Sequence, residues 1–593
     1  MQIFNDDALE RPPPTAQIPY SFISFLLSMR PAKYIAAILP LVGGAWSWVK
    51  LDPTIIPKVG EALPVFKLGA PTFFPLDYLN QLIQETNPGV KFERNETVGP
   101  DLYAYNGDRL VGWVTAAAGG ETHFFPSYDS IEPITGLGID ITRVKDFLSR
   151  PEAFPPDDTK FNFVNGSTLY GNTVTSRDPH EVAANISTPH IYLTHGVVER
   201  TIDFKGQLYR VCGPGSHASF GIGPKQQLLS LSHRWNSAKI TDHLIKPKPI
   251  NTIAGLIMKQ LEPVGLQTGN IFVDEVDVCF YDSGESFMQP VYRFSGVTHG
   301  NNTKVIVPPR VTGYLPIGDG SPEALPPILE PEIGPLPTDD FRSQPPVEEL
   351  EARGVKPRIR VARYVVRNDI RQWVRSAQGF WNSLTDNLVD WSNDQWYWGH
   401  PFLYTTSKTS FINNAHIALT EAHGNYHLFT TDGRCCDRVN IDPDFPSTLS
   451  SGYGGGARGL LGYWILHSCS VLPTPVDFSA ADFNRAFDPW WDVFNGLHAV
   501  VSYRTQMLIA DRAAATTARS ISLGVPVVTA WLEAVITDSE YRGGRSYFDT
   551  NVNRRQPYGR PSAIFPCGHG DDRVWQVDNL GRPNCLTIVW YNN

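Results

Sequence analysis

The sequence predicts an α/β C-terminal domain with a mostly parallel sheet, preceded by an α+β domain built on antiparallel sheets. Three observations carry this. From about residue 355 onward, short apolar runs alternate with longer amphipathic segments, the pattern of strands followed by helices. From about Ala70 to Val307, strand-like runs with period-2 alternation are divided by polar turns. Between Pro308 and Pro346, eleven prolines fall within 39 residues, a composition that holds neither a helix nor a central strand and reads as an extended linker.

The elements follow in order. Residues 1–60 form an N-terminal arm that opens acidic and proline-rich, MQIFNDDALERPPP, without the basic and apolar regions of a secretory signal, which favours an intracellular location. Residues 18–49 carry two uncharged apolar stretches separated by Arg30 and Lys33 and are the candidate for membrane contact. The second stretch, 16 residues interrupted by Pro40, Gly43 and Gly44, is short for a span of a ~30 Å hydrocarbon core. Residues 61–307 make the α+β domain: KFNFVNGSTLYG, PHIYLTHGVVERTIDFKGQLYRVC, IFVDEVDVCFYD and QPVYRFSG read as strands, and PLDYLNQLIQE and NTIAGLIMKQLEPV as helices. Residues 308–350 are the linker and 351–593 the α/β domain. Within the latter, IRVARYVV, HIALTEA, YWILH and HAVVSYR read as strands. QWVRSAQGFWNSLTDNLVDW, FSAADFNRAFDPWWDVFN, TQMLIADRAAATTARSI and VPVVTAWLEAVI read as helices.

Composition narrows the function classes. Among 593 residues, 42% are hydrophobic and 19% charged, so the chain has ample material for packed cores. A formal net charge of −10 gives no general attraction to nucleic acid, which is excluded as a partner. Seven scattered cysteines predict no disulfide framework, and none shows C-x-x-C spacing, so no metal is expected.

Chemistry is expected just past the carboxyl ends of parallel strands. Two of these ends carry reactive residues: HIALTEA runs into His423-Gly424, and YWILHS runs into Cys469, 46 residues on. A thiol is a weak nucleophile near neutral pH until an imidazole takes its proton, so Cys and His must converge from distant positions, and adjacent strands accomplish that. Gly424 permits close backbone approach, and its N–H together with that of Cys469 could stabilise an oxyanion.

These two strand ends, with GLHAVVSYRT after an aromatic-rich helix, resemble the caspase, legumain and gingipain superfamily of clan CD cysteine peptidases over residues 355–593. The run WW-x-x-F-x-GLH followed by AWLEA resembles more closely an uncharacterised bacterial and fungal caspase-like group. The first domain resembles, in its order of elements, PepSY-like and propeptide-like modules. The resemblance implies a caspase-like three-layer sandwich and a His423/Cys469 dyad acting on a peptide, as a peptidase or transpeptidase without cofactor. It also implies substrate contacts at Ser502, Tyr503 and Arg504, which match the family's Ser-Trp-Arg, and at His467, where caspases commonly have Gln. Trp396 and Trp398 in DWSNDQWYWGHP read as core or lid, or as walls of an aromatic substrate pocket. Two alternatives stand beside this reading: a cyclase or isomerase using the same pocket on a small apolar substrate, and a binding or scaffold protein whose dyad is idle. An open cleft with the thiol within ~3–6 Å of the imidazole favours catalysis, and a thiol packed under side chains favours idleness.

Overall fold

Ile359, Val361, Ala362, Tyr364 and Val365 are all 1% exposed or less, which is what a strand covered on both faces requires and why IRVARYV reads as a continuous apolar run. In the computed structural model this strand, β1 (Arg358–Val365), pairs in parallel with β2 (Asp390–Trp398) on one side and β3 (Ile417–Glu421) on the other. The structure describes residues 48–593 except 116–119, 137, 179–187, 269, 300–309, 329–356, 367–370, 386–387, 432–437, 442–451, 456–458, 509–510, 543–545, 550 and 593. Next come β4 (Tyr463–His467) and β5 (Ala499–Tyr503), both parallel, and then β6 (Pro561–Pro566) and β7 (Leu586–Asn592), both antiparallel to their neighbours. The order across the sheet is β2-β1-β3-β4-β5-β6-β7, with five consecutive parallel strands as the strand–helix alternation predicts.

Three helices pack together on one face: α1 (Arg371–Ser383), α2 (Ala513–Ser522) and α3 (Val527–Thr537). Because side chains alternate across a strand, His467 turns to this face, where its ring meets Trp531 of α3 edge-on at 5.9 Å, and Trp464 turns away. Trp464 packs instead on Tyr404, Phe429 and Tyr453, so an aromatic layer carried by a 3-10 turn, a short strand and a loop covers the second face. Its indole N–H donates to Thr420 at 3.0 Å, which removes the cost of burying an unpaired donor.

The first half is mixed, with long antiparallel strands at Lys160–Val174, His190–Phe204, Leu228–Ile245, Asn270–Asp282 and Phe287–His299 and a helix at Ile250–Thr268. It does not end at 307. Arg310–Pro316 is a strand paired with Phe287–His299, and Glu323 accepts from the backbone N–H groups of Ser286 and Phe287, so the proline-rich stretch begins as part of the sheet. The remainder expected as linker, 329–350, lies outside the described residues, as do 1–47 with nearly all of the apolar segment 18–49. Among the described residues no helix is long and apolar enough to cross a membrane.

The halves also share one sheet. β7 pairs antiparallel with Lys160–Val174, from Leu586↔Val174 to Asn592↔Thr168, and residues 48–593 form one compact unit. Below that seam, Glu533 of α3 accepts from Ser230 at 2.8 Å and from Tyr591 at 3.0 Å, and Tyr591 also bonds His195 at 2.9 Å. Two disulfides, Cys212–Cys279 and Cys567–Cys585, correct the expectation of no disulfide framework. Cysteine counting missed them because the partners meet through strand pairing: Cys279 and Cys212 lie on neighbouring strands.

Candidate functional site

His423 and Cys469 each follow a parallel strand by two residues, and the strands are direct neighbours, so their two loops leave the sheet side by side. Ser468 Oγ donates to the Ala422 carbonyl at 2.8 Å and ties one loop to the other. A methyl group on Gly424 would lie 2.4 Å from Ser468 Oγ, 2.5 Å from the Cys469 carbonyl oxygen and 2.5 Å from Val471. Only glycine fits there, and the close backbone approach expected at this position is present. Ser470, next after the cysteine, is held at φ 55°, a left-handed conformation that costs on the order of 1–3 kcal/mol in a non-glycine residue. Its N–H donates to the Thr505 carbonyl at 3.1 Å.

Cys469 is a free thiol and is 1% exposed. Desolvation, with the Asp511 charge adding to it, pushes the thiol up to about 12, although the Met507 N–H donates to its Sγ at 3.4 Å. Residues 505–507 run against the thiol through that N–H, and a hairpin of Ser546–Asp549 with Arg554–Pro557 brings Tyr547 beside Cys469 and Ser470. Tyr547 of that hairpin accepts from the Gln506 N–H at 3.0 Å, beside Met507. His423 is 9% exposed, and its ring meets Trp373 of α1 edge-on at 4.7 Å.

A second cluster sits one step below His423 and Cys469 on the helical face. His467 is 0% exposed and lies between two carboxylates, with Nδ1 2.5 Å from Glu421 Oε2 and Nε2 2.9 Å from Asp511 Oδ1. Burial opposes its charge, but the two carboxylates outweigh that and hold the imidazolium well above its ordinary range. Burial raises Glu421, whereas Asp511 is lowered because His467, Tyr503 and Tyr541 overcome its desolvation. Tyr503 donates to Asp511 at 2.6 Å, and Tyr541 donates to the same oxygen.

This network corrects several expected substrate contacts. His467 and Tyr503 are locked within it, and Ser502 is 0% exposed and donates to the Leu466 carbonyl at 2.7 Å. Arg504 is buried and grips Asp477 through Nε at 3.0 Å and through Nη2, and Gln556 donates to the same Asp477. Ser502 and Tyr503 point inward because β5 is an interior strand covered on both faces, as β4 is at His467, and Arg504 follows directly on β5. Trp398 is half-buried against the core, and the side chain of Trp396 lies outside the described residues. Glu421 and Asp511, which the sequence reading did not single out, are the charges that organise this end of the sheet.

A cleft of about 690 Å³ adjoins these loops. Its wall starts at Asn425, Tyr426 and His427, directly after the His-Gly pair, and is completed by Phe478, Arg485 and the hairpin tip at Asn551–Arg554; neither His423 nor Cys469 lines it. Among the described residues of the lining, Arg438, Arg485 and Arg554 stand with Asp482 and the already neutralised Asp477, an excess of basic groups.

Residues 359–556, about a third of the chain, match a family model described as Domain of unknown function (DUF6345). No curated protein matches. Among solved structures the chain is similar to an uncharacterized protein from Eubacterium rectale ATCC 33656, at 12% identity over 45% of this chain and 87% of that one, with a TM-score of 0.24.

Proposed function

We propose that this chain is a caspase-like cysteine hydrolase, a peptidase or transpeptidase, in a latent conformation. Cys469 is its nucleophile, His423 its base and acid, and the N–H groups of Gly424 and Cys469 its oxyanion donors. The observation that carries the reading is the contact of the two strand-end loops, where Gly424 leaves no room for a Cβ against the Cys469 carbonyl. The parallel order β2-β1-β3-β4-β5 places both loops at one edge of the sheet, where α/β enzymes do their chemistry. The basic cleft beside them suits a peptide with acidic character.

In the conformation described, the thiol is protonated and covered, so acylation requires the 505–507 segment and the Tyr547 hairpin to move first. After such opening, water reaching Sγ would lower its pKa and let His423 take the proton.

The burial of Cys469 itself favours a second reading, a binding protein with an idle thiol. Labelling by a peptidyl acyloxymethyl ketone decides between them. Over a prolonged incubation, in which the cover opens transiently, the latent hydrolase predicts slow labelling of the wild type at Cys469 that His423→Ala abolishes, with the fold retained by circular dichroism. Labelling that is absent, or that is equal in wild type and His423→Ala, supports the binding protein.

A further inference from the structure

His498 immediately precedes β5, so it stands at the amino ends of the parallel strands, the edge opposite the His423/Cys469 loops. Across from it runs the loop after β6, closed by Cys567–Cys585, which carries His569 and Asp572. Nδ1 of His498 lies 2.5 Å from Asp572 Oδ2, and Nδ1 of His569 lies 2.7 Å from the same oxygen. All three donor atoms fall within 4.8 Å of one another.

Nε2 of His498 is 2.7 Å from the Asp578 carbonyl oxygen, an acceptor only, so this nitrogen carries the proton. Nδ1 of His498 therefore faces a carboxylate oxygen on which the His569 Nδ1 also converges, so three ligand-type atoms from two separate segments meet at one point. A backbone carbonyl that fixes the tautomer from the far side of the ring is also the usual outer support of a metal-bound histidine.

We propose that His498, His569 and Asp572 bind one divalent transition-metal ion, with zinc preferred. Two imidazole nitrogens and one carboxylate oxygen are a borderline-soft set that suits zinc over calcium or magnesium. Bonds of ~2.0–2.2 Å in a tetrahedral site hold ligands roughly 3.4 Å apart, so the two histidines need to draw back from Asp572 by about 1 Å. The side chain of His569 is 33% exposed, which leaves the fourth position open to water.

The ion would also brace the two halves of the chain. The same loop presents Asp571 to Arg109 at 3.1 Å and to the Tyr128 N–H at 3.0 Å, and Asp129 accepts from the Asp571 N–H at 3.0 Å. Fixing His569 and Asp572 on His498 pins that loop to the central sheet.

The test uses the full chain, free of any polyhistidine tag, stripped with a chelator and dialysed against zinc. One zinc per chain by mass spectrometric metal analysis is expected, with visible d–d bands of a tetrahedral centre when cobalt replaces it. His569→Ala and Asp572→Asn should each lose the bound metal at least tenfold while keeping the wild-type circular dichroism. Added zinc should raise the melting temperature of the wild type and not of these variants. A wild type that binds less than a tenth of an equivalent, or variants that bind as much as the wild type, would overturn the site and leave a plain His-Asp-His hydrogen-bond cluster.

Discussion

His467 and Glu421 are register partners on adjacent parallel strands, and Nδ1 of the one lies 2.5 Å from Oε2 of the other in a fully buried site. Each stands two residues before a residue of the candidate site: Glu421 precedes His423 by two residues, and His467 precedes Cys469 by two. A charged pair therefore underlies the two loops that carry the candidate chemistry. Asp511, on the other nitrogen of His467, also raises the Cys469 thiol by its charge, so the network and the thiol are electrically coupled.

Replacing His467 by Ala should cost about 3–5 kcal/mol, because it strands Glu421 and Asp511 in a dry site without their shared cation. The pH dependence has a definite sign. The folded-state pKa of His467 lies above its unfolded value, so its contribution is complete below about pH 6.5 and is withdrawn as pH rises through the folded value. Urea melts of wild type and His467→Ala should thus differ most at pH 6 and converge at alkaline pH. A constant difference across that range would show that His467 is neutral.

Gly424→Ala should act on Cys469 without touching its side chain. The new methyl would overlap the Cys469 carbonyl, a backbone atom that cannot rotate away, so the loop must shift at a cost of roughly 1–3 kcal/mol. Thermal melting and peptide-probe labelling should both fall, and unchanged values would mean that the two loops separate freely.

How much of this was legible in the sequence depends on which interactions are local. β1 was expected at Ile359 to Val366 and runs Arg358–Val365, and α3 matches VPVVTAWLEAVI, because both are carried by their own apolar runs. The pattern of QWVRSAQGFWNSLTDNLVDW predicts helix throughout, yet the helix stops at Ser383 and Asp390–Trp398 is β2; its tryptophans pair along β1, a partner no local pattern reveals. FSAADFNRAFDPWWDVFN forms 3-10 turns and a four-residue helix, with Pro489 in its first turn, instead of one long helix. The strand ends bearing His423 and Cys469 were legible from apolar runs that stop at reactive residues. The inward roles of Ser502, Tyr503 and Arg504 were not, because they depend on Leu466, Asp511 and Asp477 arriving from elsewhere.

Cys469 should be nearly inert toward iodoacetamide in the folded protein. With the thiol near 12, about one molecule in 10⁴ is ionised at pH 8, against about a quarter of unfolded thiols with pKa ~8.5. Blocked access slows the reaction further. Alkylation of Cys469, followed by peptide mass mapping, should be at least ~10³ times slower in native buffer than in 6 M guanidinium. Fast native labelling would show that the cover opens readily.

Glu533 gives the seam between the two halves its own pH dependence. Desolvation lifts this carboxyl to about 7, against the hydrogen bonds from Ser230 and Tyr591. From pH 4.5 to 7 the unfolded chain releases the Glu533 proton while the folded chain retains it, so stability from this group falls over that window and levels off above it. A difference of about 2.5 pKa units corresponds to on the order of 3 kcal/mol. Glu533→Gln stays neutral at every pH and can still accept one of the two hydroxyl donors. The variant should match the wild type near pH 4.5, exceed it in melting temperature at pH 8, and lose the decline between them. A wild type whose pH profile overlays that of Glu533→Gln would mean that Glu533 ionises in the folded protein as readily as in the unfolded chain, and that water reaches the seam.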